Sequence, residues 1–596
     1  MLATRSNERL QSAGIKTRRV LRFGVILLAL SPAIFTLSLV ARHGVDIPYA
    51  DEWTFAPLLV KAHMHTLTFS DFFAQHNEHR YVFPKLLLVA FAYLARGNLR
   101  IEMLFSVFLC GLTSLNLWLI LRRSLSFTLE KRLLLLTLFN LVLFSPVQAE
   151  NWTWGFQFVF FLVNYLLTSG VAIATSDLSI WKRFVLCLAI ALVGTFSFGN
   201  GFVLWVTTFP LALISGERES LKRRFGWLAA WVTACAGTIS LYFIHYVKPA
   251  HHPSLAASGN PLDYFLYVAA FLGAHLSQAA RAESIVVPVT IGALLLIIYF
   301  GGMAFAFLRG TPLLLRQVRP WLGIGGFAVG SAFLAALTRI GFGINQGLDS
   351  RYTTFSLCLS IAAIGLASLM SEKLHSSTGR NEWVRNFHVR METAFLTAFL
   401  IAVFVSSAWG VRSMKSIERT RLWGKGGLLL GNVLDDGIVY ETYLGGWAPD
   451  VLKYANMEDA IGLLHPALFR TAEISRLPTV AATKTVLGYV DKVIASDGAC
   501  EITGWAVLPK RRRVADCVVV AHNSEGQEPI IFGVTDQVSD RPDVAQAFAR
   551  PGLLRCGWTV HFQRPVVPHG EQRISAWALD TKTGTFYELN NTKILP

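Results

Sequence analysis

The segment DIPYADEW, residues 46–53, sets Asp46, Asp51 and Glu52 directly behind the first long apolar run of the chain. A membrane helix needs no carboxylates to end it, so their crowding there asks for a chemical reason. A carboxylate within hydrogen-bond reach of a hydroxyl serves as a general base. A second one holds a divalent cation or orients the reacting group. Further along lie QHNEHR (75–80), QAENWTWGFQ (148–157), SFGNG (197–201) and RIGFGINQGLDSRY (339–352). They supply His79, Arg80, Glu150, Trp154, Gln157, Asn200, Arg339, Arg351 and Tyr352, with Lys85 close behind the first of them. Guanidinium groups bind phosphate oxygens bidentately, which singles out the arginines as anion ligands. Plainer readings compete. DIPYADEW can be an acidic capping turn, Trp152, Trp154 and Tyr352 an aromatic belt, and Arg351 an interfacial anchor. The histidines of HMH and QHNEHR can be solvated loop residues, and HNEH lacks the HExxH spacing of a zinc protease.

These residues must be positioned by membrane helices. The 596-residue chain is 53% hydrophobic and only 15% charged, against roughly a quarter charged for soluble domains. Crossing the hydrocarbon takes about 20 apolar residues. Runs near that length fall at 20–40, 100–121, 132–147, 155–175, 183–198, 202–215, 225–247, 284–308, 320–338, 352–370 and 393–411. The expectation is therefore an α-helical polytopic membrane protein of about 11 spans, within a range of about 11–13. The first run follows a basic arm, 1–19, and is too long for the core of a signal peptide. With a cytoplasmic N-terminus, the basic clusters around Arg122, Lys182, Arg223, Arg316 and Arg380 all fall inside, as the positive-inside rule requires. The formal net charge of +16 is thus an orientation signal, and nucleic acid is excluded as a partner.

This topology holds only if VFPKLLLVAFAYLA, 82–95, does not cross. It reads instead as a helix at the outer interface, apolar face down; DYFLYVAAFLGAHL, 263–276, reads the same way. Loop 41–99 is then long, external and pressed against the membrane. The polar segments gather on that same outer side. Ionisable groups at membrane depth cost about 2.5–3.5 kcal/mol each on insertion scales, so their gathering points to a cavity opening outward.

A first span followed by a large external loop that opens with an acidic pair resembles the GT-C glycosyltransferases. The stretch DEW, then EHRYVFPKLLLVAFAYLARGNLRIEMLFSVF, is similar to the protein O-mannosyltransferase and aminoarabinose-transferase arrangement. There a DE pair precedes a His/Pro/Lys segment, an interfacial helix, a small-residue turn and an Arg before the second span. His79, Pro84, Lys85, Gly97 and Arg100 occupy comparable places, with HRYVFPK standing where the usual form is HPPL. ENWTWGFQ and GLDSRY look like segments of bacterial membrane families of the same type. The resemblance implies transfer of a sugar from a polyprenyl-phosphate-linked donor to a glycan, lipid or protein acceptor at the outer face of a bacterial inner membrane. It implies Asp51 as general base, with Glu52 and Asp46 orienting the acceptor or holding a divalent cation, Mg or Mn, which some relatives do without. Arg351, then Lys85, Arg80 and Arg339, would take the donor phosphate. His79, Glu150, Trp154, Gln157, Asn200 and Tyr352 would bind acceptor or sugar. One-step attack would invert the anomeric centre.

The GT-C-like membrane domain spans 20–411, and a mixed helix and loop region follows at 412–484. From 485 to 596 short alternating runs, separated by turn residues, predict an external β-sandwich-like domain. Trp505, Trp558 and Trp577 are either a sugar platform or, among alternating apolar neighbours, sandwich core. Cys500 and Cys517 would pair if their strands are adjacent. KRRR, 510–513, reads as a charged hairpin loop. Two other functions stay open. A transporter or flippase of a polyprenyl-linked substrate usually places its key groups near mid-membrane and carries repeats, and none is seen. A polysaccharide polymerase or ligase usually depends on a late large loop, whereas here the first loop is the longest.

Overall fold

The structure is a computed structural model. It describes residues 2–210, 220–280, 284–377, 382–434, 440–445, 450–482, 486–496, 499–509, 513–524, 527–535, 537–563 and 572–595. In hydrocarbon every backbone N–H and C=O needs an internal partner, so the apolar runs become helices. Among the described residues, nine helices are long and apolar enough to cross a membrane. They lie within Arg22–His43, Arg100–Ser124, Leu129–Thr153, Gly155–Ala174, Leu221–Tyr242, Val286–Arg309, Pro312–Phe342, Ser350–Leu374 and Val389–Leu429. The expected run 183–198 forms the 16-residue helix Ile180–Thr195. The run 202–215 is helical through Thr207, and its last residues lie outside the described ones. Val82–Ala95 is a 14-residue helix, roughly 21 Å long and so too short to span. The segment expected as a second interfacial helix is the helix Pro261–Gly273. Pro261–Gly273 is packed along the span Val286–Arg309, so closely that a Cβ on Gly292 would fall 1.8 Å from the Ala269 carbonyl oxygen.

The chain divides into two compact units that are not sequential blocks. The first comprises Met1–Gly44, Thr68–Leu88 and Ile101–Met414, and the second Val45–Leu67, Val89–Arg100 and Lys415–Pro596. The first unit is helical. Its Trp152 and Trp154 are buried, so they are not belt residues: Trp152 stacks on Phe161 and donates to the Ser145 carbonyl at 3.0 Å.

The second unit is built on two sheets. The strands are β1 (Thr479–Val480), β2 (Gly488–Ser496), β3 (Ala499–Leu508), β4 (Arg513–Val514), β5 (Cys517–Asn523), β6 (Ile530–Val534), β7 (Gln537–Ser539), β8 (Gly557–Gln563), β9 (Gln572–Asp580), β10 (Thr585–Glu588) and β11 (Lys593–Leu595). One sheet runs β1-β10-β9-β5-β6 with β11 on β9, the other β2-β3-β8-β7 with β4 on β3. Alternation along the strands separates two cores. Val518, Val520, Ala576 and Ala578 pack with Ile502, Trp505, Trp558 and Val560 of the second sheet, which makes a sandwich. Their neighbours Cys517, Val519, Trp577 and Leu579 face the other way, onto Leu428–Leu430, Leu444 and Val451. All three tryptophans are therefore core and form no sugar platform. Cys500 on β3 and Cys517 on β5 belong to different sheets and all seven cysteines are free thiols, which overturns the cross-strand disulfide. Residues 510–512 of KRRR lie outside the described residues; Arg513 pairs with Asp516 and Asp580.

Candidate active site

DIPYADEW folds as part of the second unit. Val45, Ile47 and Trp53 enter the same core as Leu428–Leu430 and Leu444. Trp53 is fully buried and its indole N–H donates to the Leu444 carbonyl at 3.3 Å. Arg421, itself buried, lies over the Tyr49 ring at 4.4 Å. Between these anchors Ala50 has φ +48°, a left-handed conformation that costs a non-glycine residue about 1–2 kcal/mol. The tight turn that follows, Ala50–Phe55, separates the two adjacent carboxylates. Glu52 is 5% exposed and accepts from the Tyr49 N–H at 3.3 Å, whereas Asp51 remains partly exposed. Asp46 accepts from the Leu99 N–H at 2.9 Å, and its carbonyl accepts from Lys425 at 2.7 Å. Gly97 has φ +76°, and a Cβ there would fall 2.1 Å from the Leu463 carbonyl oxygen. Among the described residues no group of three or more His, Cys, Asp or Glu side chains is arranged to hold a metal ion.

Glu458 is buried near Glu52, on the helix Val451–Ala460. Burial, and the charge of Glu52, push its carboxyl up to about 8. The folded unit therefore binds a proton that the unfolded chain releases in the ordinary carboxylate range. Its stabilising contribution is full below that range and is lost as pH rises through about 8, in keeping with proton linkage. The Tm of the detergent-solubilised protein should fall between pH 6 and 9, and Glu458→Gln should remove most of that fall. An equal fall in the variant would contradict this assignment.

In the first unit, Arg80 is buried, with its guanidinium on the carbonyls of Tyr242, Ile244 and Phe73. Lys85 is buried too, donating to the carbonyls of Asp71 at 2.9 Å and Ala74 at 2.7 Å. Burial brings its pKa down to about 8. Both cations thus pin the irregular backbone of the loop, as such groups must be satisfied when buried. His79 packs against Phe198 at 4.4 Å with its side chain 13% exposed, and this desolvation lowers its pKa to about 3 and keeps the ring neutral.

Two ion-paired clusters lie at the junction between the helices Pro312–Arg339 and Thr353–Ser377. In one, Arg339 pairs with Glu78 and donates to His252 Nε2 at 3.0 Å; His79 and His252 stand 3.4 and 3.6 Å from the Glu78 carboxylate. In the other, Arg351 Nη2 bonds Asp349 at 2.9 Å and Nε lies 3.8 Å from Glu150, which also takes the Ser350 hydroxyl. The Arg351 side chain is 32% exposed, more than Arg339 at 19%. Asn151 supports it, donating to the Arg351 carbonyl at 2.9 Å and to Thr354 Oγ1 at 2.7 Å. Tyr352 stacks on Phe271 at 5.1 Å. Trp154 and Gln157 are buried, and Asn200 is partly buried in the turn Gly199–Val203.

The structure therefore joins Arg351 with Glu150, and Arg339 with His79 through Glu78. It sets Arg80 and Lys85 on backbone carbonyls, and it puts Asp46, Asp51 and Glu52 in the other unit. Sequence reasoning passed over His252, whose only signal is the HH pair at 251–252, and Glu78, quoted in QHNEHR but given no role.

The fold and these sites define a polytopic helical membrane protein with a C-terminal β-sandwich. No protein-family model matches the chain, and no curated protein does. Among solved structures it is similar to the archaeal oligosaccharyltransferase AglB from Archaeoglobus fulgidus, in complex with an inhibitory peptide and a dolichol-phosphate. The identity is 13% and the TM-score 0.37; the match covers 74% of this chain and 60% of the other.

Proposed function

We propose that the protein is a GT-C-type glycosyltransferase that moves a sugar from a polyprenyl-phosphate-linked donor to a glycan, lipid or protein acceptor. The membrane is a bacterial inner membrane, with the N-terminus cytoplasmic and the β-sandwich periplasmic. The observation that supports this reading most is the cluster of Arg351 with Asp349 and Glu150, on the same helix junction as Arg339, Glu78 and His252. Carboxylates that fix a partly exposed guanidinium keep its fork pre-oriented for a phosphate. The acceptor hydroxyl oxygen attacks the anomeric carbon while the bond from that carbon to the phosphate oxygen breaks, its electron pair leaving with the phosphate. The hydroxyl proton passes to Asp51, the general base in this reading. A single displacement of this kind inverts the anomeric centre. Glu52, buried and committed to the Tyr49 N–H, shapes the turn. Arg80 and Lys85 hold the loop, and Arg339 is held by Glu78 and His252.

Arg351→Lys keeps the charge and loses the fork. Loss of a hydrogen bond to a charged group, worth about 1.5–3 kcal/mol, predicts a fall of roughly 10–100-fold in kcat/KM for the donor. Arg351→Ala should fall further and also lower Tm, because Asp349 and Glu150 lose their cation, whereas Arg351→Lys should keep the wild-type Tm. Wild-type kcat/KM in Arg351→Ala would remove this residue from the donor site.

A further inference from the structure

A cavity of about 900 Å³ opens in the first unit between the helices Phe158–Ala174, Ile180–Thr195 and Pro312–Arg339, together with the turn at Gly199–Thr207. Its size is at the upper end of ligand sites, which hold roughly 300–1,000 Å³. Nothing in the glycosyl-transfer reading uses it. Its polar end is formed by Arg183, Arg316, Arg319 and Asp177. A smaller cavity of about 160 Å³ shares Arg316 and Asp177 and adds Arg123. Four arginines and one aspartate thus line the two cavities. Arg316 pairs with Asp177, Arg123 donates to the Ala172 carbonyl at 3.0 Å, and among the described residues the buried Arg183 Nε has no hydrogen-bond partner. The other end is apolar, with Phe202, Val206, Phe333 and Leu334. Val206 is 79% exposed and Phe333 51%, so the cavity is open along its side.

We propose that this cavity is a binding site for an anionic glycerophospholipid, with the phosphate on Arg183 and Arg319 and the acyl chain along the apolar limb. Charge complementarity selects an anionic head group, since a basic pocket between membrane helices attracts anionic lipid heads. Length selects the chain. From Arg319 to Phe333 the helix rises roughly 20 Å, comparable with the roughly 15 Å of hydrocarbon in one leaflet. A polyprenyl chain would outrun that limb. The site is also separate from the sugar-transfer chemistry. Arg319 and Arg339 lie on one helix, roughly 30 Å apart along its axis, so one phosphate cannot reach both. Gly326 lines the cavity, and a Cβ there would meet nothing closer than 3.4 Å, so a larger residue at this position enters the apolar limb without a backbone clash.

The test uses the full-length protein in detergent, titrated with dioleoylphosphatidylglycerol, dioleoylphosphatidylcholine or undecaprenyl phosphate while Tm is followed. Phosphatidylglycerol should raise Tm saturably, and phosphatidylcholine should not. The double variant Arg183→Ala/Arg319→Ala should lose at least half of the shift through the head group. Gly326→Leu should lose a similar share through the chain with every arginine in place, which separates occupancy from general charge. Equal shifts with both phospholipids, or an undiminished phosphatidylglycerol shift in both variants, would overturn the proposal. A larger shift with undecaprenyl phosphate, lost in the same variants, would give the cavity to the prenyl carrier and overturn it as well.

Discussion

Asp51→Asn is expected to lower kcat for sugar transfer by about 10²–10⁴-fold, the usual contribution of a positioned general base, and to leave Tm within about 1 °C of wild type. The reasoning rests on the different burial of two neighbours. Glu52 is 5% exposed and is held by the Tyr49 N–H, whereas Asp51 is partly exposed on the same turn. Asparagine preserves the size and much of the hydrogen bonding of Asp51 and removes only its capacity to take a proton. Glu52→Gln is the informative contrast. It perturbs a buried carboxylate whose charge acts on Glu458, so its main effect should appear in stability and its pH dependence. Loss of activity in Glu52→Gln with full activity in Asp51→Asn would exchange the two assignments.

The second large effect concerns folding. Trp53→Ala should destabilise the second unit by about 3–5 kcal/mol, the range for truncating a buried large aromatic. Trp53 is fully buried in a core made with Leu428–Leu430, Leu444, Val451 and Trp577, and its indole N–H is bonded to the Leu444 carbonyl. Truncation leaves a cavity among these side chains and strands that carbonyl without its donor. Because the acidic turn is carried by the same core, the variant should also lose transfer activity. Denaturant or thermal melts of the detergent-solubilised protein check the first part, and Trp53→Phe should recover most of the stability. A Trp53→Ala protein as stable as wild type would mean that the turn is not held by this core.

The membrane helices could be read because a twenty-residue apolar run has one satisfactory conformation in lipid, and nine such helices stand where runs were expected. Val82–Ala95 was legible by length, and the sandwich by alternation, which in β5 and β9 assigns successive residues to opposite cores. The second unit's make-up was not legible. Trp53 and Leu444 are 391 residues apart, and a contact of that span leaves no local pattern. The sequence around Glu458 shows only a helical stretch, since burial beside another carboxylate cannot be seen from its neighbours in sequence. Nor can residue type tell a cation that awaits a phosphate from one that serves backbone carbonyls. Arg80 and Lys85 do the latter, while Arg351 sits among carboxylates at a span end.

The most direct measurement supplies purified protein in proteoliposomes with a panel of polyprenyl-phosphate sugars labelled in the sugar, together with a cell-envelope acceptor fraction. The account predicts that label from one donor passes into the acceptor fraction in step with release of free polyprenyl phosphate, and that Asp51→Asn abolishes both. Label that crosses the bilayer still attached to its prenyl carrier, or transfer that proceeds equally in Asp51→Asn, would contradict it.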